Sequence, residues 1–124
     1  MGSTLKIIKE QVQGNVHITV FHLRGWLDMQ GEEILLASAR DSYAEGSRFI
    51  LIDLAEVDTL TSAGMRALQK VSKLFTPAEE RSKMAHVKLC NAPPQVHNIL
   101  GITGILLTIL NYESMQSAID SFTE

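Results

Sequence analysis

The side chains of this chain that could carry chemistry are few and dispersed. The histidines are His17, His22, His86 and His97, and the one cysteine is Cys90. Zinc or iron needs several convergent nitrogen or sulfur ligands. His86 and Cys90 stand four apart in a strand-like stretch, a spacing that makes no clamp, so no metal site is expected. Neither a glycine-rich phosphate cradle nor a nucleophile elbow is present. Gly101-Ile102-Thr103-Gly104 has the GxxG spacing of some RNA-clamping loops, yet it lies among apolar residues without basic neighbours and is expected to ease tight packing. A lone cysteine excludes an intramolecular disulfide, and Cys90, closing the apolar run Val87–Cys90, is expected to be a small buried hydrophobe.

One segment stands apart: Asp53-Leu54-Ala55-Glu56-Val57-Asp58-Thr59-Leu60-Thr61-Ser62-Ala63-Gly64-Met65. A β-prone run ends in an acid, a polar turn follows, and a hydroxyl residue opens a helix whose first turn holds the small residues Ala63 and Gly64. Thr61 or Ser62 can serve simply as an N-cap, accepting an orphan backbone N–H for about 1 kcal/mol. Gly64 points further. It costs roughly 1 kcal/mol relative to alanine inside a helix, which implies that something approaches the backbone closely there.

The elements that must position this segment follow from periodicity. Leu5–Val12, the turn pair Gly14-Asn15 and Val16–Leu23 predict a β-hairpin. Its second strand carries Val16, Ile18 and Val20 on one face and Thr19, Phe21 and Leu23 on the other, as a strand covered on both sides should. Gly25 and Gly31 bracket a predicted loop, and Glu32–Ala44 reads as a helix with Leu36, Ala39 and Tyr43 inward. Phe49–Ile52 predicts a central strand, Val57–Thr61 a turn, and Met65, Leu68, Val71 or Ser72, and Phe75 a second helix that ends at Thr76-Pro77. A charged, solvated connection, Ala78–Lys83, leads to a strand at Ala85–Leu89. Pro93-Pro94 opens a short helix with Val96, Ile99 and Leu100. Ile105–Leu110 is a further strand candidate, and Asn111 can cap a last helix with Met115, Ile119 and Phe122 inward. The order β-β-α-β-α-β-α-β-α predicts an α/β fold, a mixed β-sheet with an N-terminal hairpin and about four helices packed against it.

The whole of residues 1–124 reads as one domain, with no linker or repeat. Eleven Lys+Arg against 14 Asp+Glu give a formal net charge of −3, which offers no basic excess for a phosphate backbone and argues against nucleic acid as a partner. The longest apolar stretch, Ile99–Leu110, is interrupted by Gly and Thr and falls short of the roughly 18 to 20 residues of a membrane span. The first residues lack an apolar signal core, and Lys6 occupies the place where a myristoylation motif needs Ser or Thr. A cytoplasmic location is expected.

Taken in order, these elements resemble the STAS domains, whose single-domain members are bacterial anti-sigma factor antagonists. Leu23-Arg24-Gly25-Trp26-Leu27-Asp28 is similar to the family's L-x-G-x-L-D turn. Phe49–Leu54 is similar to its central strand, and Val57-Asp58-Thr59-Leu60-Thr61-Ser62-Ala63-Gly64 to its V-D-x-x-(D/T)-S-(S/A)-G stretch. Asn91, Ile99-Leu100 through Gly104-Ile105, and Ser117-Ala118 extend the resemblance over more than a hundred residues.

The resemblance implies a regulatory interaction module rather than an enzyme, with no cofactor. Ser62 matches the serine that family members present for phosphorylation. In such members the unphosphorylated protein binds a serine-kinase anti-sigma factor and frees the sigma factor, phosphorylation ends the binding, and a serine phosphatase resets the switch. Many regulated members carry Asp immediately before the serine. Thr61 stands there in this chain, which makes Thr61 or Thr59 a secondary candidate acceptor.

Asp28 is expected near Ser62 if the two preceding strands are parallel neighbours, either orienting the hydroxyl or capping its own turn. Gly64 supports the site. Trp26, Met65, Arg66 and Gln69 form the candidate partner-binding face, with burial of Met65 the alternative for that residue. Two other readings are a stand-alone STAS subunit of a transporter or stress-sensing assembly, and a nucleotide-binding STAS domain, the latter without a Walker loop.

Overall fold

A computed structural model describes residues 4–76 and 86–123. Five strands form one sheet in the order β1-β2-β3-β4-β5, namely β1 (Lys6–Gln13), β2 (His17–Leu27), β3 (Ile50–Leu60), β4 (Val87–Cys90) and β5 (Asn111–Tyr112). Among the described residues the β1/β2 hairpin is antiparallel, and β2/β3, β3/β4 and β4/β5 are parallel. The helices are α1 (Met29–Ala44), α2 (Ser62–Phe75), α3 (Pro94–Thr103) and α4 (Met115–Ser121).

The strands advance in one direction across the sheet, so right-handed crossovers bring the connecting helices to the same face. There Leu35, Leu68, Val71 and Leu100 share a core with Phe21, Leu23, Ile50 and Ile52. The other face packs Val16, Ile18, Val20, Leu51 and Cys90 against Ala118, Ile119 and Phe122, the α4 side. Cover on both sides of β2 is what its two apolar faces require. Among the described residues, no helix is long and apolar enough to cross a membrane.

Several boundaries differ from the sequence expectation, each for a physical reason. The predicted loop between Gly25 and Gly31 does not exist. Strand β2 runs to Leu27, Asp28 alone turns the chain, and α1 starts at Met29 rather than Glu32. Gly25, at φ +104°, supplies the left-handed backbone at which the β2/β3 register shifts, and pairing then resumes at Trp26 with Thr59 and Leu27 with Leu60. That pairing also converts Val57–Leu60 of the predicted turn into strand, so β3 extends far past Ile52 with Val57 and Leu60 buried, and only Thr61 lies outside it.

The inward stripe of α1 is Leu35, Leu36, Ala39 and Ser42. Tyr43 is instead 38% exposed, its ring edge on Phe75.

The predicted strand Ile105–Leu110 is a 3₁₀ turn at Ile105–Leu107, and the adjoining strand β5 begins at Asn111. Ile105 and Ile109 are buried while Leu107 is 89% exposed, a helical rather than alternating pattern, and the Thr108 hydroxyl donates to the Ile105 carbonyl at 3.0 Å. Gly104 does not ease packing. It ends α3 in the left-handed conformation at φ +78°, and Gly101 faces open space. Ser114, not Asn111, caps α4; Asn111 is in β5. The expected charged connection at 78–83 lies outside the described residues, as does the start of the strand predicted from Ala85.

Candidate functional site

Parallel pairing of β2 with β3 carries the two strands to a common end, where each passes into a helix through a single capping residue. Asp28 caps α1, its Oδ1 accepting the Gly31 N–H at 2.9 Å. Thr61 caps α2, its Oγ1 accepting the Gly64 N–H at 3.4 Å. The junctions repeat one design: a cap, two residues, then a glycine over which a strand-end carbonyl sits. A Cβ on Gly31 would lie 2.7 Å from the Trp26 carbonyl oxygen, and one on Gly64 would lie 2.0 Å from that of Leu27. The same Leu27 oxygen accepts the Thr61 backbone N–H at 3.1 Å. The close approach that Gly64 implied is therefore made by this chain's own backbone, and it locks the start of α2 onto the end of β2.

Because Thr61 takes the capping role, Ser62 is the first residue of α2. Its side chain is exposed, and its hydroxyl has no hydrogen-bond partner among the described residues. It lines a surface hollow of about 710 Å3 together with Trp26, Asp28, Met29, Gln30, Thr61 and Arg66. Asp28 lines the same hollow as Ser62, with one carboxylate oxygen committed to capping α1. Trp26 is half-buried. Met65 is half-buried against the core outside the hollow. Gln69 borders a separate groove with Ser72, Lys73 and Leu107, further along α2. Thr59 sits in β3 opposite Trp26, off the helix terminus.

Two residues of this region escaped the sequence reading. Met29, 71% exposed, stands on the rim of the hollow. Glu32, in the first turn of α1, reaches across to α2, with its Oε2 3.0 Å from Lys70 Nζ and its Oε1 3.5 Å from Arg66 Nη2. The hydrogen-bonded Lys70 ammonium, reinforced by Arg66, holds the Glu32 carboxyl below the usual carboxylate range. Arg66 and Lys70 stand four apart on one helix face, which was the available signal, but only the fold shows that the shared acid comes from another helix.

A second polar cluster lies on the sheet away from this site. His22 places Nδ1 2.7 Å from Asp53 Oδ2 and Nε2 2.7 Å from Glu10 Oε1. Partial burial pushes the imidazole pKa down, but hydrogen bonds and charge from the two carboxylates outweigh it, and the net direction is upward from 6.5. Cys90 is fully buried; burial, with a contribution from Asp53, pushes its thiol up to about 12, the state of an inert core residue.

With this geometry in place, comparison with known proteins identifies the class. The STAS domain family matches residues 9–118, and the chain belongs to that family. A Bordetella bronchiseptica protein named as an anti-sigma factor antagonist, BtrV, is 25% identical over 118 residues, covering 95% of each chain. An anti-sigma factor antagonist from Mycobacterium paratuberculosis superposes with a TM-score of 0.73 at 21% identity, over 92% of this chain and 90% of that one. The anti-sigma factor antagonist SpoIIAA, solved in its unphosphorylated form, gives a TM-score of 0.68 at 18% identity over 93% and 94% of the two chains. The fold is SpoIIAA-like.

Proposed function

We propose that this chain is an anti-sigma factor antagonist that works by partner switching, with Ser62 as the phosphoacceptor. Family membership and the relatives named as antagonists support the first part. The observation that carries the second is the division of labour at the start of α2: Thr61 caps the helix, leaving the Ser62 hydroxyl exposed and unengaged. A modified Ser62 then costs the fold no capping bond, and the helix dipole with its remaining unpaired N–H groups favours an added anion.

The unmodified chain binds a serine-kinase anti-sigma factor through the face around the hollow, which includes Trp26, Met29 and Arg66, with Met65 and Gln69 further along α2. Asp28, which lines the same hollow, orients the acceptor hydroxyl with the carboxylate oxygen not used in capping. Phosphorylation adds about −1.5 to −2 charges and a bulky group in the middle of that face. Burying such a group against a partner costs several kcal/mol, and each 1.4 kcal/mol is tenfold in affinity. A serine phosphatase restores the binding form. Calorimetric titration of a serine-kinase anti-sigma factor tests this: Ser62→Ala should bind like the unmodified chain and Ser62→Asp at least tenfold more weakly. Equal affinities for the two variants would overturn the electrostatic switch.

A further inference from the structure

Arg66 follows Ser62 by four residues on α2, so the two side chains share a helix face with their Cβ atoms roughly 5–6 Å apart, and both line the same hollow. In the unmodified chain Arg66 is engaged elsewhere, by the weaker of two contacts to one carboxylate. Its guanidinium stands 3.5 Å from Glu32, beyond the best hydrogen-bonding range, whereas Lys70 hydrogen-bonds the other oxygen of that carboxylate at 3.0 Å. Glu32 therefore keeps a cation when Arg66 leaves. The Arg66 side chain is 52% exposed.

We propose that Arg66 is the internal receptor of the Ser62 phosphate, leaving Glu32 to clamp it. A phosphoserine dianion outcompetes a single carboxylate for a guanidinium, and the fork of Arg donors matches phosphate oxygens two at a time. The sense of the pair is also the favourable one, acid toward the helix N-terminus and base four residues on. The phosphorylated state then differs from the unmodified one in two ways. A negative group occupies the hollow, and the arginine otherwise offered to the partner is folded back onto it. Lys70 alone remains to join α1 to α2 through Glu32. This inference rests on the reading of Ser62 as phosphoacceptor, but its test does not depend on any kinase.

Phosphoserine is installed at position 62 of the full chain by genetic encoding, and its second ionisation is followed by phosphorus NMR in the Arg66 form and in Arg66→Gln, Arg66→Lys and Lys70→Gln. A guanidinium clamp lowers the phosphate pKa by about half a unit relative to Arg66→Gln, a threefold change in proton affinity. The lysine variant should fall between, and Lys70→Gln, which leaves Glu32 only Arg66 to pair with, should raise the value by less than Arg66→Gln does. The Arg66 Nε–H resonance should move on phosphorylation. Arg66 is surface-placed, so the variants are expected to fold, and circular dichroism checks that. Identical phosphate pKa values in the Arg66 and Arg66→Gln chains, or a larger rise in Lys70→Gln than in Arg66→Gln, would overturn the clamp. A kinase that ignores Ser62 would instead refute the function proposed above and leave this result standing.

Discussion

Replacing Gly64 by alanine tests the junction that presents Ser62. In an ordinary helix interior this change stabilises, since alanine is preferred over glycine by about 1 kcal/mol. Here the added Cβ would fall 2.0 Å from the Leu27 carbonyl oxygen and 2.9 Å from the Leu27 Cγ. The oxygen cannot retreat freely, because it accepts the Thr61 N–H at 3.1 Å and belongs to a strand paired with β3. Overpacking costs about 1–3 kcal/mol, and loosening the Thr61 bond adds about 1 kcal/mol. The clash outweighs the propensity gain, leaving a net loss of about 2 kcal/mol and a fall in Tm of roughly 8 °C for a chain of this size. Gly101→Ala is the matched control: it also lies within a helix, but nothing among the described residues stands within 4 Å of its Cβ position, so it should raise stability by up to about 1 kcal/mol. Thermal unfolding of the three chains by circular dichroism decides. A Gly64→Ala chain that melts at or above the unmodified one would refute the claim that the Leu27 carbonyl dictates glycine there.

Two further outcomes are expected. Thr61→Ala removes the α2 cap and should lower stability by about 1 kcal/mol in chemical denaturation while leaving Ser62 a kinase substrate; loss of modification with unchanged stability would mean that Thr61 acts as an acceptor rather than a cap. His22 should impose a pH dependence: its pKa is raised on folding, so its stabilising contribution is complete below about pH 6.5 and disappears as pH rises through the higher folded value. The Tm gap between the unmodified chain and His22→Gln should therefore narrow from pH 6 to pH 8.5, and a constant gap would contradict the two-carboxylate clamp.

Much of this architecture was legible in the chain because its signals are local. Proline at Pro94, the apolar spacing of Leu68, Val71 and Phe75, and the two-faced apolar pattern of β2 each report on residues within a few positions. What failed depends on partners distant in sequence. Val57–Leu60 reads as a turn until the far end of β2, carried past the kink at Gly25, pairs with it. Ile105–Leu110 is too short for its period to discriminate, and the Thr108 and Ile109 N–H groups, both donating to the Ile105 carbonyl, make it helical. At the site, Ser62 and Gly64 were visible as an odd helix start, and the parallel strands brought Asp28 to the same end of the sheet. The choice between Thr61 and Ser62 as cap needed backbone geometry. The Glu32 contact with Arg66 and Lys70 needed the packing of α1 on α2.

The most direct test of the central claim is incubation of the full chain with a serine-kinase anti-sigma factor and ATP, followed by intact mass measurement and peptide mapping. The account predicts one added phosphate, located on Ser62 and absent from the Ser62→Ala chain. A chain left unmodified by every such kinase that it binds, or one modified only at Thr59 or Thr61, would contradict it.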